Sequence, residues 1–326
     1  MKKEDERAQQ LRKFILKYPD YPNLKLARMF HNENPLFYRD VETVRTYIRK
    51  ILGQAGKEKR VDQSLFRESK PLNPYNLPPS FEFDYSPFDI KCKNLLVLSD
   101  IHIPYHSISA LSACFDYMSG RKVDAILLNG DTIDCHMLSR FVRDPRARNF
   151  SEELDAFAEF FIILKKLWDV PIYFKLGNHE ERYNHFLWMK ANELSGVEEF
   201  SLEAIIKKRA NVEVISDKRI IKAGKLNILH GHEFSGGVFS PVNIARGLFL
   251  KAKVNAMQGH NHQTSEHSER DLEGKITTTW SLGCLSELHP QYMPINKWNH
   301  GFSTIEIEDD GTFEVKNKRI HEGKLL

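Results

Sequence analysis

Five apolar runs in this chain each end in a short polar block, and that pattern constrains the fold more than any other feature. Asn94–Ser99 ends at Asp100-Ile101-His102, and Ala125–Asn129 ends at Gly130-Asp131, with Asp134 three residues on. Ile172–Leu176 ends at Gly177-Asn178-His179-Glu180. Leu226–Leu229 ends at His230-Gly231-His232, and Val254–Gln258 at Gly259-His260-Asn261-His262. Short apolar runs bounded by turn residues read as buried strands, and Ile108–Ser119, Ser151–Trp168 and Leu202–Ala210 between them read as helices. Strands alternating with helices predict an α/β fold in which the polar blocks converge at the carboxyl ends of the strands.

The blocks share one ligand chemistry. Aspartate, histidine and asparagine donors suit divalent transition ions, and the set is large enough for two of them. Asp100 and His102 alternate along an extended stretch, so both can face one ion only if the strand end bends; the turn before Pro104 would allow that. Gly130 lets the backbone turn sharply and bring in Asp131, whose two oxygens can bridge two metals. Asn178 offers a carbonyl oxygen, and His230, His260 and His262 offer nitrogens. Two aspartates against two divalent ions leave about two positive charges, or about one with a bridging hydroxide, so a phosphate ester is attracted. The metals lower the pKa of bound water, and ions roughly 3.5–4 Å apart hold nucleophile and phosphate for in-line attack. His179 is placed to protonate the leaving oxygen or stabilise the transition state, with Asp134 to orient its ring. His232 reads as a residue behind the ligands and His300 as structural. Arg182 is a candidate phosphate contact. Arg140, Arg143, Arg146 and Arg148 are either a phosphate-binding groove or a solvated charge run.

Taken together, DxH, GDxxD, GNHE, HGH and GHNH resemble the signature of the calcineurin-like metallophosphoesterase superfamily over about residues 92–265. The resemblance implies a four-layer α-β-β-α sandwich of two mixed sheets with flanking helices. It implies that Asp100, His102, Asp131 and His262 bind one metal, and that Asp131, Asn178, His230 and His260 bind the other. His179 with Asp134 would be the catalytic pair. The implied cofactor is two divalent ions, manganese first, with iron, zinc or nickel as alternatives. The protein-phosphatase branch carries arginine directly after GDxxD; Cys135-His136 stand there in this chain, which points away from a protein phosphatase. Glu180 stands where aspartate is commoner.

The amino-terminal part has a different character. Residues 1–60 hold 15 Lys/Arg and 8 Asp/Glu, whereas the remainder holds 32 and 36. This predicts a small basic module on a mildly acidic body. Three helices are expected, over about Glu4–Lys17, Asn23–His31 and Asp40–Leu52. Leu24, Ala27 and Phe30 form the apolar positions of the second. Val41, Val44, Ile48 and Ile51 form one face of the third, with Arg45, Arg49 and Lys50 largely away from it. The unit looks like a helix-turn-helix DNA-binding module, although the connection His31–Arg39 is longer than the usual tight turn. The alternative is a three-helix bundle with a solvated basic face, serving dimerisation or partner binding. A basic module on such a body is similar to metallophosphoesterases encoded by phages and prophages.

Pro71, Pro74, Pro78, Pro79 and Pro87 mark a linker over 61–90, which leaves 91–326 as the catalytic domain. The first ten residues are highly charged, no apolar stretch is long enough for a membrane span, and the four cysteines lack CxxC spacing. A cytoplasmic protein with reduced thiols is expected. The leading functional expectation is a two-metal phosphodiesterase or nuclease acting on DNA or RNA. The alternatives are a phosphomonoesterase or nucleotide phosphatase on small substrates, and a DNA-binding protein whose phosphoesterase fold is only a scaffold. The intact ligand set argues against the scaffold.

Overall fold

The structure, a computed structural model, describes residues 6–18, 21–52, 78, 85–140, 149–215, 218–234 and 242–326. The chain divides into two units, Met1–Ser86 and Pro87–Leu326. Among the described residues no helix is long and apolar enough to cross a membrane.

In the first unit, helices α1 (Glu6–Lys17), α2 (Asn23–Glu33) and α3 (Val41–Ile51) close around Leu11, Phe14, Ile15, Leu26, Ala27, Phe30, Tyr38, Val44 and Ile48. Phe14 and Phe30 meet edge to face at 5.2 Å, the geometry that the ring quadrupoles favour. Asp40 fixes the start of α3: its Oδ1 accepts the Thr43 N–H at 2.7 Å. Leu24 does not join the core as expected; it is exposed, and Leu26 is buried in its place. Two residues on a helix turn the side chain by about 200°, which separates Leu24 from the face formed by Leu26, Ala27 and Phe30.

The second unit begins with β1 (Phe88–Ile90), which takes the last residues of the stretch read as linker. Most of that stretch, 61–77 and 79–84, lies outside the described residues. The order continues with β2 (Asn94–Leu98), α4 (Ile108–Met118), β3 (Ala125–Asn129), α5 (Phe150–Leu167), β4 (Ile172–Lys175), α6 (Glu181–Lys190), α7 (Leu202–Arg209) and β5 (Glu213–Ile215). It is completed by β6 (Ile221–Ala223), β7 (Leu226–Leu229), α8 (Ile244–Ala252), β8 (Ala256–Gln258), β9 (Ser265–Arg270), β10 (Ile276–Ser281), β11 (His300–Ile307), β12 (Phe313–His321) and β13 (Lys324–Leu325).

The strands form two mixed sheets, ordered β13-β12-β11-β2-β3-β4-β5 and β1-β6-β7-β8-β10-β9. The alternation of β2 explains the layering. Leu95 and Val97 point into the space between the sheets, where they join Leu127, Ile228, Met257 and Ile305. Leu96 and Leu98 point the other way, into a core shared with Phe157 and Phe161 of α5 and Ile206 of α7. On the far side Leu248 of α8 packs on Leu229 and Ala256 of the second sheet. The result is the expected α-β-β-α sandwich. Because both faces of the first sheet are covered, the runs Leu95–Leu98 and Ala125–Leu128 of β2 and β3 are continuously apolar.

Candidate functional site

All five polar blocks lie in loops at the carboxyl ends of β2, β3, β4, β7 and β8. The backbone there is unusual: Asp100, His102, Asp131, His260 and His262 have φ of 55°, 52°, 49°, 66° and 56°. Side chains other than glycine disfavour this left-handed region by about 1–2 kcal/mol each, so the surrounding packing must hold them in it. At Asp100 and His102 this conformation supplies the bend that their alternation demands. Two glycines permit the close approach of neighbouring loops. A Cβ on Gly130 would collide with the His230 ring, and one on Gly177 would collide with the Asp131 carboxylate.

These loops bring the donor atoms into contact. His102 Nε2 and His262 Nε2 are 3.3 Å apart, and His262 Nε2 is 3.2 Å from Asp100 Oδ1. On the other side, His230 Nε2 lies 3.2 Å from Asn178 Oδ1 and 3.3 Å from Asp131 Oδ2. Donors of Asp131, His230 and His260 form one compact group, and those of Asp100, His102 and His262 form another. Asp131 Oδ2 is also 4.0 Å from His102 Nε2, so the same carboxylate borders both groups. Ligands held about 2.0–2.2 Å from a small ion stand roughly 3.0–3.5 Å from one another, and all of these spacings but the 4.0 Å from Asp131 to His102 fall in that range. The buried Nδ1 of His260 has no hydrogen-bond partner, which fits a ring with a nitrogen to spare for an ion. The residues therefore fit a pair of divalent cations.

Neighbours set the tautomers of these rings. His102 Nδ1 donates to Asp134 Oδ1 at 2.8 Å, and His230 Nδ1 donates to the Asn129 carbonyl at 2.8 Å. Each ring is thereby left to present Nε2 to the site. Burial opposes ionisation of Asp131, but His179 and His230 hold its carboxyl well below the usual range. Burial lowers a histidine, yet Asp131 raises His230 to about 10 and Asp100 raises His262 to about 10. Burial and His230 together lower His260 to about 4. The buried carboxylates thus draw positive charge into the site.

Several supporting residues escaped the sequence reading. Glu180, noted only as a departure from aspartate, is wholly buried. Its carboxylate accepts backbone N–H groups from Asp131 (3.0 Å), Thr132 (2.8 Å), Ile133 (2.9 Å) and Gly177 (2.8 Å), tying the β3 and β4 loops together. Burial, with Asp131 nearby, pushes Glu180 up to about 7, opposed by those N–H donors. Glu233 does similar work for the β7 loop, accepting from His230 N at 2.9 Å and Gly231 N at 2.6 Å. It is paired at 2.9 Å with Lys175, which is 1% exposed. Burial would raise Glu233, but Lys175 and the nearby histidines hold it at about 2. The available signal was Lys175 itself, a lone charge in an apolar run.

The remaining candidates divide into those at the centre and those away from it. Asp134 Oδ1 is 2.9 Å from His179 Nδ1. His179 Nε2 accepts from Arg182 at 2.8 Å, and Arg182 also donates to the Asp134 carbonyl at 2.9 Å. Arg140 and Arg182 line a hollow of about 430 Å³ that Asn178 also borders. Arg143, Arg146 and Arg148 lie outside the described residues. His232 is held by Glu181 at 3.0 Å, behind His230, and His300 donates to the Ser286 carbonyl at 2.9 Å. In the separate helical unit, Arg45 pairs with Glu42 at 3.3 Å, while Arg49 and Lys50 are exposed.

A sequence profile of the calcineurin-like phosphoesterase family matches residues 93–275, more than half of the chain. The gene 54 protein of Mycobacterium phage L5 is 24% identical over 232 residues, covering 66% of this chain and 89% of that protein. Among solved structures, Vps29 from Entamoeba histolytica in complex with zinc has a TM-score of 0.37 at 13% identity, covering 72% of this chain and 96% of that one. A dimetal phosphatase from Danio rerio has a TM-score of 0.36 at 12% identity, covering 72% and 98%. The nuclease MPE from Pseudomonas putida has a TM-score of 0.30 at 10% identity, covering 68% and 86%. With its profile match and its convergent aspartates and histidines, the chain belongs to the calcineurin-like phosphoesterase family and is a metal-dependent phosphoric ester hydrolase.

Proposed function

We propose that the protein hydrolyses phosphodiester bonds in nucleic acid. In this reading Asp100, His102, Asp131 and His262 hold one divalent ion, and Asp131, Asn178, His230 and His260 hold the other. The observation that carries the two-ion reading is the placing of Asp131, whose Oδ2 lies 4.0 Å from His102 Nε2 and 3.3 Å from His230 Nε2. When bound, the ions supply an activated water and offset the charge of the phosphate. The donor set suits manganese, our first candidate, and also iron, zinc or nickel.

The chain's own groups do the rest. Asp134 fixes the His179 ring, and the Nε2 edge of His179 faces the centre, 3.8 Å from Asp131 Oδ2. Asp131 and Asp134 raise His179 above its ordinary value against burial, with Arg182 opposing. Because Nε2 accepts from Arg182 at 2.8 Å, His179 can protonate the leaving oxygen once Arg182 turns from it to the substrate phosphate. Arg182 and Arg140, with Arg143 added on sequence grounds, steady the phosphates of the substrate. Arg45, Arg49 and Lys50 give the helical unit a polyanion contact of its own, with residues 1–60 as the module and the proline-rich stretch as its linker. A cytoplasmic setting suits the four cysteines, which are free thiols in the structure.

Replacing Arg49 and Lys50 by alanine tests the nucleic-acid part. DNA affinity should drop and its salt slope should fall by about 2, one for each lost phosphate contact, while hydrolysis of a bis-aryl phosphate continues. Absence of DNA or RNA binding by the intact protein at low salt would sink this part and leave a small-substrate phosphoesterase.

A further inference from the structure

A second hollow, of about 550 Å³, opens directly off the metal centre, with His102 and Asp134 in its lining. Tyr105, Tyr292 and Trp298 supply its aromatic lining. Trp298 is fixed edge-on against His262, ring centroids 4.2 Å apart, and its backbone N–H is held by Asn296 Oδ1 at 2.9 Å. Tyr292 stands 6.5 Å from Trp298 at 63° and is 66% exposed. Large aromatic surfaces are thus left open to solvent beside the candidate ligands, where a flat partner would cover them.

Charge says what kind of partner. No lysine or arginine lines this hollow among the described residues, and Glu287 adds a carboxylate to it. A phosphate finds no basic side chain there, whereas a neutral planar ring gains by stacking. The hollow of about 430 Å³ that holds Arg140 and Arg182 has the opposite character, and Asn178 places it at the same centre. A volume of about 550 Å³ is in the range of small-ligand sites and accommodates a nucleoside.

We propose that the base of one of the two nucleosides esterified to the scissile phosphate stacks in the hollow formed by Tyr105, Tyr292 and Trp298, while the neighbouring backbone phosphates run toward Arg140 and Arg182. This rests on the phosphodiesterase reading above and adds to it the side on which the base is held. Glu287 and Gln291 offer hydrogen-bonding groups to the edge of that base.

The test uses the full-length protein with Mn²⁺, a thymidylyl dinucleotide, and its counterpart in which one base is replaced by hydrogen. The wild type should prefer the intact dinucleotide by about tenfold in kcat/KM, carried mostly by KM, within the range that base–aromatic stacking gives. Tyr292→Ala should bring that ratio close to one, and Tyr292→Phe, which keeps the ring, should preserve it. Equal turnover of both substrates by the wild type overturns the base subsite, as does a preference that survives Tyr292→Ala. Hydrolysis of neither dinucleotide, with an aryl monophosphate still hydrolysed, overturns the phosphodiesterase reading itself and the subsite with it.

Discussion

The two units of this chain are built around opposite kinds of interior. The helical unit closes on apolar side chains such as Leu11, Ala27, Val44 and Ile48, with its charges outside. At the strand ends of the catalytic unit, Asp100, Asp131, Glu180 and His230 are as deeply buried as those leucines and valines. An apolar interior is held by volume, so damage to it is graded. A charged interior is held by specific partners, and losing one leaves another group stranded.

The largest expected effect comes from removing the carboxylate charge at the junction of the two donor groups. Asp131→Asn should reduce metal-dependent hydrolysis of bis-aryl phosphate by at least about a thousandfold, while circular dichroism without added metal shows the fold kept. Retained activity would refute the shared-ligand reading. Next comes the buried pair behind β7. Lys175→Met strands Glu233 and should cost about 3–5 kcal/mol in denaturant unfolding, with part of the loss recovered by adding Glu233→Gln. A change below about 1 kcal/mol would show that Glu233 reaches solvent or another partner.

On the other side of the comparison, Ile48→Ala should cost the helical unit about 2–5 kcal/mol while bis-aryl phosphate hydrolysis by the full-length protein is kept. Lost hydrolysis would mean that the two interiors are not independent. The smallest effect belongs to Glu153, a buried carboxylate of α5 that accepts the His136 N–H at 3.1 Å. Burial, with Asp134, raises it from 4.5 to about 8. Its stabilising contribution is complete below its unfolded value near 4.5 and is lost as pH rises through about 8. Glu153→Gln should therefore flatten the fall in melting temperature between pH 5 and pH 9, a range that spans most of the titration window from 4.5 to about 8. An unchanged slope would show that Glu153 ionises freely.

Much of the catalytic unit was legible because each donor block closes an apolar run, so periodicity located the strands and residue type located the donors. The α-β-β-α layering followed from a resemblance, and the alternation of Leu95 to Leu98 onto two covered faces supplies its physical basis. What stayed hidden depends on partners distant in sequence. Glu180 reads as a tolerated substitution until its carboxylate is seen to bind the loop of Asp131, and Lys175 has no meaning without Glu233. Trp298 belongs to no block and matters only because its loop folds back onto His262. The left-handed backbone at Asp100 and His102 is invisible in sequence for a different reason, since neither residue is a glycine.

Asp134 carries a consequence for how such a site can change over time. Its Oδ1 is 2.8 Å from His102 Nδ1 and 2.9 Å from His179 Nδ1. His179 Nδ1 also donates to the Asp134 carbonyl at 2.9 Å, so a candidate ion ligand and the candidate proton donor pivot on one residue. A tilt of either ring is transmitted to the other, so ion affinity and leaving-group preference cannot drift independently. A lineage that retunes one must retune the other or give up this carboxylate, and variation in substrate choice is channelled instead to the hollows on either side.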